Sequence, residues 1–125
     1  MSPRRGAWLL AAGRVGLGVA VLIAPERVVG RWLGRENLAR PVVVDLARSL
    51  GARDLALGVA VLQTLDDTVI GPRVQALCAL ADGVDAMATI IARRDLPKSG
   101  AIGTVFVAGG SAGLGFYLAH KLAHA

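Results

Sequence analysis

The chain has 125 residues, room for one domain spanning residues 1–125. It is 54% hydrophobic, 18% charged and has a mean hydropathy of +0.57, whereas ordinary soluble domains carry about 25% charge, so the composition favours a membrane class. The net charge of +5 is spread between apolar segments with no accompanying aromatic-basic face, which argues against nucleic acid and for contact with anionic lipid in the connecting loops.

The opening MSPRR and its apolar sequel look like a secretory signal with Arg4 and Arg5 as the charged region. Arg14 interrupts that apolar core, and the run continues to Pro25 without an A-x-A cleavage pattern, so a retained first span over residues 6–24 is expected. At 1.5 Å per residue its length is about 28 Å, close to the hydrocarbon thickness. Trp8 is placed near one interface. Residues 25–40 change character: Arg27, Arg31 and Arg35 recur at i, i+4, i+8, with Val28, Trp32 and Leu33 on another side. This pattern predicts a short amphipathic helix at headgroup level, opened by Pro25 and anchored by Trp32.

The second long helix, residues 42–65, is the least typical span. It holds Asp45, Arg48, Arg53 and Asp54, and its longest uncharged run, residues 55–65, is too short to cross a bilayer. Its small face compensates: Ala47, Gly51, Asp54 and Gly58 share one side, where another helix backbone can approach closely. Asp66, Asp67, Thr68 and the Gly71-Pro72 pair then predict a turn.

The third helix, residues 73–92, organises the rest. Gln75, Cys78, Asp82, Asp85 and Thr89 follow a 3-4-3-4 spacing that gathers its polar side chains on one helical stripe, and the other faces are Ala, Leu, Val, Met and Ile. Cys78, the single cysteine, excludes an intrachain disulfide and reads as a small buried hydrophobe. The fourth helix, residues 101–122, opens with 19 consecutive uncharged residues. Gly109 and Gly113 form a G-x-x-x-G pair, and Ser111, Gly115 and Ala119 a second row of small residues, both suited to close helix packing in lipid.

Counting to the middle of each helix puts Arg14, Arg53 with Asp54, Asp82 with Asp85, and Ser111 at one depth. An isolated Asp or Arg at a helix centre costs about 2.5–3.5 kcal/mol on insertion scales, so these groups are expected to meet in one buried polar layer. Two arginines then face three aspartates. The extra carboxylate is matched by Arg48, or protonated, or holds an ion; Asp85, a turn from the midpoint, is the aspartate expected to lack an arginine. There is no G-x-S-x-G, P-loop, H-E-x-x-H or paired CxxC, and His120 and His124 at i, i+4 sit on a frayed end. No catalytic residue, metal or cofactor is therefore expected.

The segments RSLGARDLALG, residues 48–58, and ADGVDAMAT, residues 81–89, resemble an uncharacterised group of small bacterial four-helix integral membrane proteins. The resemblance covers nearly the whole chain. It implies the fold and a bacterial inner-membrane location, with Arg53, Asp54, Asp82 and Asp85 as its recurring residues, and no activity. A looser similarity to DoxX-like proteins rests on helix count. The expectation is thus an all-α, four-helix transmembrane bundle with one interfacial helix after the first span. It would be non-enzymatic and pack through its Gly-rich fourth helix against itself or a larger membrane complex, with Gly51, Gly58, Gly109 and Gly113 as helix-packing positions and a proton- or cation-coupled carrier as the alternative. Seven Lys and Arg in the first and third connections against four on the other side predict both termini outside the cytoplasm.

Overall fold

The computed structural model describes residues 1–125, and every regular element in it is helical. The helices are α1 (Pro3–Ile23), α2 (Pro25–Leu33), α3 (Arg35–Leu38), α4 (Pro41–Thr64), α5 (Ile70–Ile91) and α6 (Lys98–Ala123), with a 3-10 turn at Arg93–Asp95 between the last two. Three of them, α1, α5 and α6, are long and apolar enough to cross a membrane, which makes the chain a membrane protein; α4 fails that criterion. The cause is its four charged side chains, Asp45, Arg48, Arg53 and Asp54. Large apolar groups point outward, among them Ile23, Phe106 and Ile91, each about three-quarters exposed, as expected where hydrocarbon rather than water is the solvent.

Helix ends explain the differences from the expected bounds. Ser2 caps α1 by accepting the Arg5 amide at 3.2 Å, so that helix starts three residues early. Gly71 and Pro72, expected in a turn, are instead the second and third residues of α5. A proline in a first turn forfeits only an amide that has no intrahelical acceptor. The turn is made upstream, where the Asp67 carboxylate accepts the Val69 and Ile70 amides at 2.8 and 2.7 Å. Those two bonds hold its carboxyl below the usual carboxylate range.

The long helices pack as two close pairs, α1 with α4 and α5 with α6. Small residues set the first seam. A carbon added to Gly18 would lie 2.6 Å from both the Gly51 carbonyl oxygen and the Leu55 amide, and one added to Gly58 would lie 2.9 Å from the Ala11 carbonyl oxygen. Ala11 therefore faces Gly58 and Gly18 faces Gly51, an antiparallel register in which the two backbones touch. In the second seam Gly115 lies against Ala79 and Gly83 against Ala112, also antiparallel.

The segment expected to be one interfacial helix is two, broken at Gly34, whose φ of 84° lies in the left-handed region and whose missing side chain makes room for Pro97. Arg27, Arg31 and Arg35 are exposed as expected, but Trp32 is not an outward anchor. It turns inward, and its indole N–H donates to Thr89 Oγ1 at 3.1 Å. Asn37 ties the same segment to the 3-10 turn after α5 by donating to the Leu33 and Asp95 carbonyls at 2.7 and 3.0 Å, while the α2 backbone at Arg31 crosses directly over Gly100.

Candidate functional site: a buried layer of arginine and aspartate

Arg14, Asp54 and Asp82 are 9%, 9% and 8% exposed, on α1, α4 and α5 respectively. Arg14 donates through Nη1 to Asp54 Oδ1 at 3.1 Å and through Nη2 to Asp82 Oδ2 at 2.5 Å, so one guanidinium joins three helices. The α1–α4 seam makes this possible: Arg14 sits between the contacts of Ala11 and Gly18, at the height of Asp54 between those of Gly51 and Gly58. Arg53, partly buried on the neighbouring face of α4, donates to both oxygens of Asp85 at 3.0 and 2.6 Å and to Asp54 Oδ1 at 3.2 Å. Two arginines thus hold three carboxylates in one chain of contacts from α1 through α4 to α5, and both ion-pair groups bridge the two helix pairs.

Two site assignments need correction. Asp85, expected to lack an arginine, has the bidentate one, the geometry that a planar guanidinium and a carboxylate favour. Arg48 is outside the layer: its side chain is 47% exposed and faces Asp45 at 3.9 Å on its own helix. Six residues separate Arg48 from Asp54, which is neither three, four nor seven, so helical geometry turns the two side chains to different sides. The extra carboxylate therefore has no third cation, and the layer carries a formal charge of −1.

Of the glycines expected to pack helices, Gly51 and Gly58 lie in the α1–α4 seam, whereas Gly109 and Gly113 have nothing within 4 Å of where a side chain would begin and face away from the other helices. Within α6 the second small row supplies the contact, through Gly115. Gly18 was missed as the partner of Gly51. Its signal was its spacing of seven from Ala11, matching the seven between Gly51 and Gly58.

A cleft of about 440 Å³ opens beside the layer between the two helix pairs, roofed by α2. Arg14, Asp54, Asp82 and Asp85 line its polar side, and Thr104 and Ser111 of α6 line the facing wall. Leu9 and Leu17 of α1, each about half exposed, and Val107 of α6, 71% exposed, line it too, so its mouth lies between α1 and α6. Chemically, the arrangement can bind helices together and can receive a hydrogen-bond donor. Comparison with protein-family models, with curated proteins and with solved structures finds no match.

Proposed function

We propose that the chain is a non-enzymatic, multi-pass protein of the bacterial inner membrane, a four-helix transmembrane bundle in which α4 spans together with α1, α5 and α6. In this reading Arg14 and Arg53 with Asp54, Asp82 and Asp85 clamp the bundle. Pairing inside the layer removes most of the cost of carrying α4's two central charges into hydrocarbon. The proposal also groups the chain with the small bacterial membrane proteins that its second and third long helices resemble.

The bundle works by packing, as a subunit of its own oligomer or of a larger membrane complex. The observation that supports this is the bare outer face of α6, where Gly109 and Gly113 meet nothing in their own chain. Glycines at that spacing let a second helix backbone approach closely in lipid, and internal packing gives no account of them. The test is Gly113→Leu in mild detergent, with size by light scattering and stability by thermal melting. Because the position touches no internal neighbour, the isolated chain is expected to stay folded while the oligomer or complex, and the stability that association adds, is lost. A variant that keeps wild-type assembly size refutes the reading.

A proton- or cation-coupled carrier is the second reading. The cleft reaching Asp54, Asp82 and Asp85 from the flank of the bundle supports it, together with the uncompensated negative charge of the layer.

A further inference from the structure

We infer that the cleft between α1 and α6 is a binding site for an amphipathic primary ammonium: a single cationic –NH₃⁺ head seated at Asp54 and Asp82, with an apolar tail running out between α1 and α6. The inference stands independently of assembly through α6.

The polar end of the cleft offers acceptors and no free cation. Asp54 uses Oδ1 for both Arg14 and Arg53, and Asp82 uses Oδ2 for Arg14. The two side chains are 13% and 11% exposed, and each leaves one oxygen, Asp54 Oδ2 and Asp82 Oδ1, outside the arginine contacts. Both arginines direct their terminal nitrogens at carboxylates, and the unpartnered Arg53 Nε belongs to a residue outside the cleft lining, so the cleft presents a layer of net negative charge that disfavours an anion.

The facing wall adds hydroxyls. Ser49, Thr64 and Thr89 each bond the carbonyl four residues back on their own helix, the usual fate of a hydroxyl in an apolar helix. Thr104 and Ser111, on the same face of α6, make no such bond and line the cleft instead. The α5–α6 register, with Gly83 against Ala112, puts Ser111 at the level of Asp82.

Three unused acceptors at one depth match the three donors of a primary ammonium. The bound cation would also bring the formal charge of the layer from −1 to zero. Away from this end the walls are apolar, with Leu9, Leu10 and Leu17 from α1 and Val107 from α6. A volume of about 440 Å³ falls within the range of about 300–1,000 Å³ usual for small-molecule sites. The mouth faces the hydrocarbon, so a tail partitioned in the bilayer can enter sideways without crossing water.

Trp32 lines the cleft and supplies the signal. The chain carrying Trp8→Phe, which leaves Trp32 as its only tryptophan, is placed in phosphatidylcholine nanodiscs and titrated with decylammonium, with decanol and decanoate as controls of equal tail length. The expected result is a saturable change in Trp32 emission with decylammonium, and binding of decanol and decanoate weaker by about tenfold or more. Ser111→Ala, which leaves every ion pair in place, should weaken decylammonium by about tenfold while decanol is unaffected, and Val107→Phe should weaken it by narrowing the mouth. No saturable change in the parent chain overturns the inference. So does decanol binding as tightly as decylammonium, which would make the cleft a plain apolar pocket, or unchanged decylammonium affinity in both folded variants.

Discussion

Removing Arg14 tests the layer at its most buried point. Arg14→Ala deprives Asp82 of the only group that bonds it, whereas Asp54 keeps Arg53 at 3.2 Å. The substitution therefore strands one buried carboxylate, not two. One uncompensated buried charge costs about 3–5 kcal/mol. Arg53→Ala removes the bidentate partner of Asp85, but there the side chains are 33% and 20% exposed. Because this pair is less enclosed by the protein, that loss is expected to be about 1.5–3 kcal/mol, the scale of a hydrogen bond to a charged group. Arg14→Ala should thus be the more destabilising of the two. Adding Asp82→Ala to Arg14→Ala should recover part of the loss, because the stranded charge goes with it, giving a coupling of about 0.5–3 kcal/mol in the double-mutant cycle. Unfolding in mixed micelles followed by circular dichroism measures all five proteins, the wild type, the three single variants and the double one. If Arg53→Ala proves the costlier change, or if the two substitutions at positions 14 and 82 simply add, Arg14 is not the hub of the layer.

Gly18→Ala is expected to destabilise by about 1–3 kcal/mol, the usual cost of overpacking, because its new carbon would meet α4 backbone at 2.6 Å; Gly113→Ala, in open space, should leave the melting temperature of the isolated chain unchanged, and equal melting of the two would refute the α1–α4 seam. At Asp67, the folded carboxyl titrates below its unfolded value, so its contribution is present above the unfolded value and lost as pH falls through the folded one. Amide exchange at Val69 and Ile70 should accordingly speed up in acid below the ordinary aspartate range, and Asp67→Ala should show the fast exchange at every pH.

The polar stripe of α5 was fully legible, since Gln75, Cys78, Asp82, Asp85 and Thr89 are each buried or half-buried on one side of the helix. A 3-4-3-4 spacing leaves no other arrangement on an α-helix, and charge in an apolar segment must turn away from lipid. The meeting of Arg14 with Asp54 and Asp82 was legible from depth alone, because depth counts residues along a helix. Depth could not say which arginine serves which carboxylate. That depends on rotation about each helix axis, so depth leaves Asp85 without an arginine although Arg53 serves it, and admits Arg48 although it faces Asp45 outside the layer. The inward turn of Trp32 was hidden for a related reason. Arg and Trp on a short amphipathic segment predict an interfacial anchor, but the acceptor that pulls the indole inward, Thr89, lies 57 residues away on α5.

The order of the helices bears on how such a layer can form. Within α5, Asp82 and Asp85 together cost about 5–7 kcal/mol at the centre of a span, against about 0.3–0.6 kcal/mol returned by each Leu, Ile or Val. Neither has a cation on its own helix in the layer; their partners are Arg14 of α1 and Arg53 of α4, both earlier in the chain. The same holds one step back, since Asp54 of α4 finds Arg14 already present in α1. Each newly made helix thus carries carboxylates whose arginine precedes it. In the four-helix reading the unpaired groups are arginines: Arg14 until Asp54 arrives, and then Arg53, which shares Asp54 with Arg14 until Asp85 arrives, and both have long side chains able to snorkel toward the interface. Had the signs been exchanged, the first unpaired group would be a short aspartate with no such reach. The glycine contacts of α1 with α4 set Arg14 against Asp54 within that pair, which leaves Nη2 for Asp82 of the α5–α6 pair.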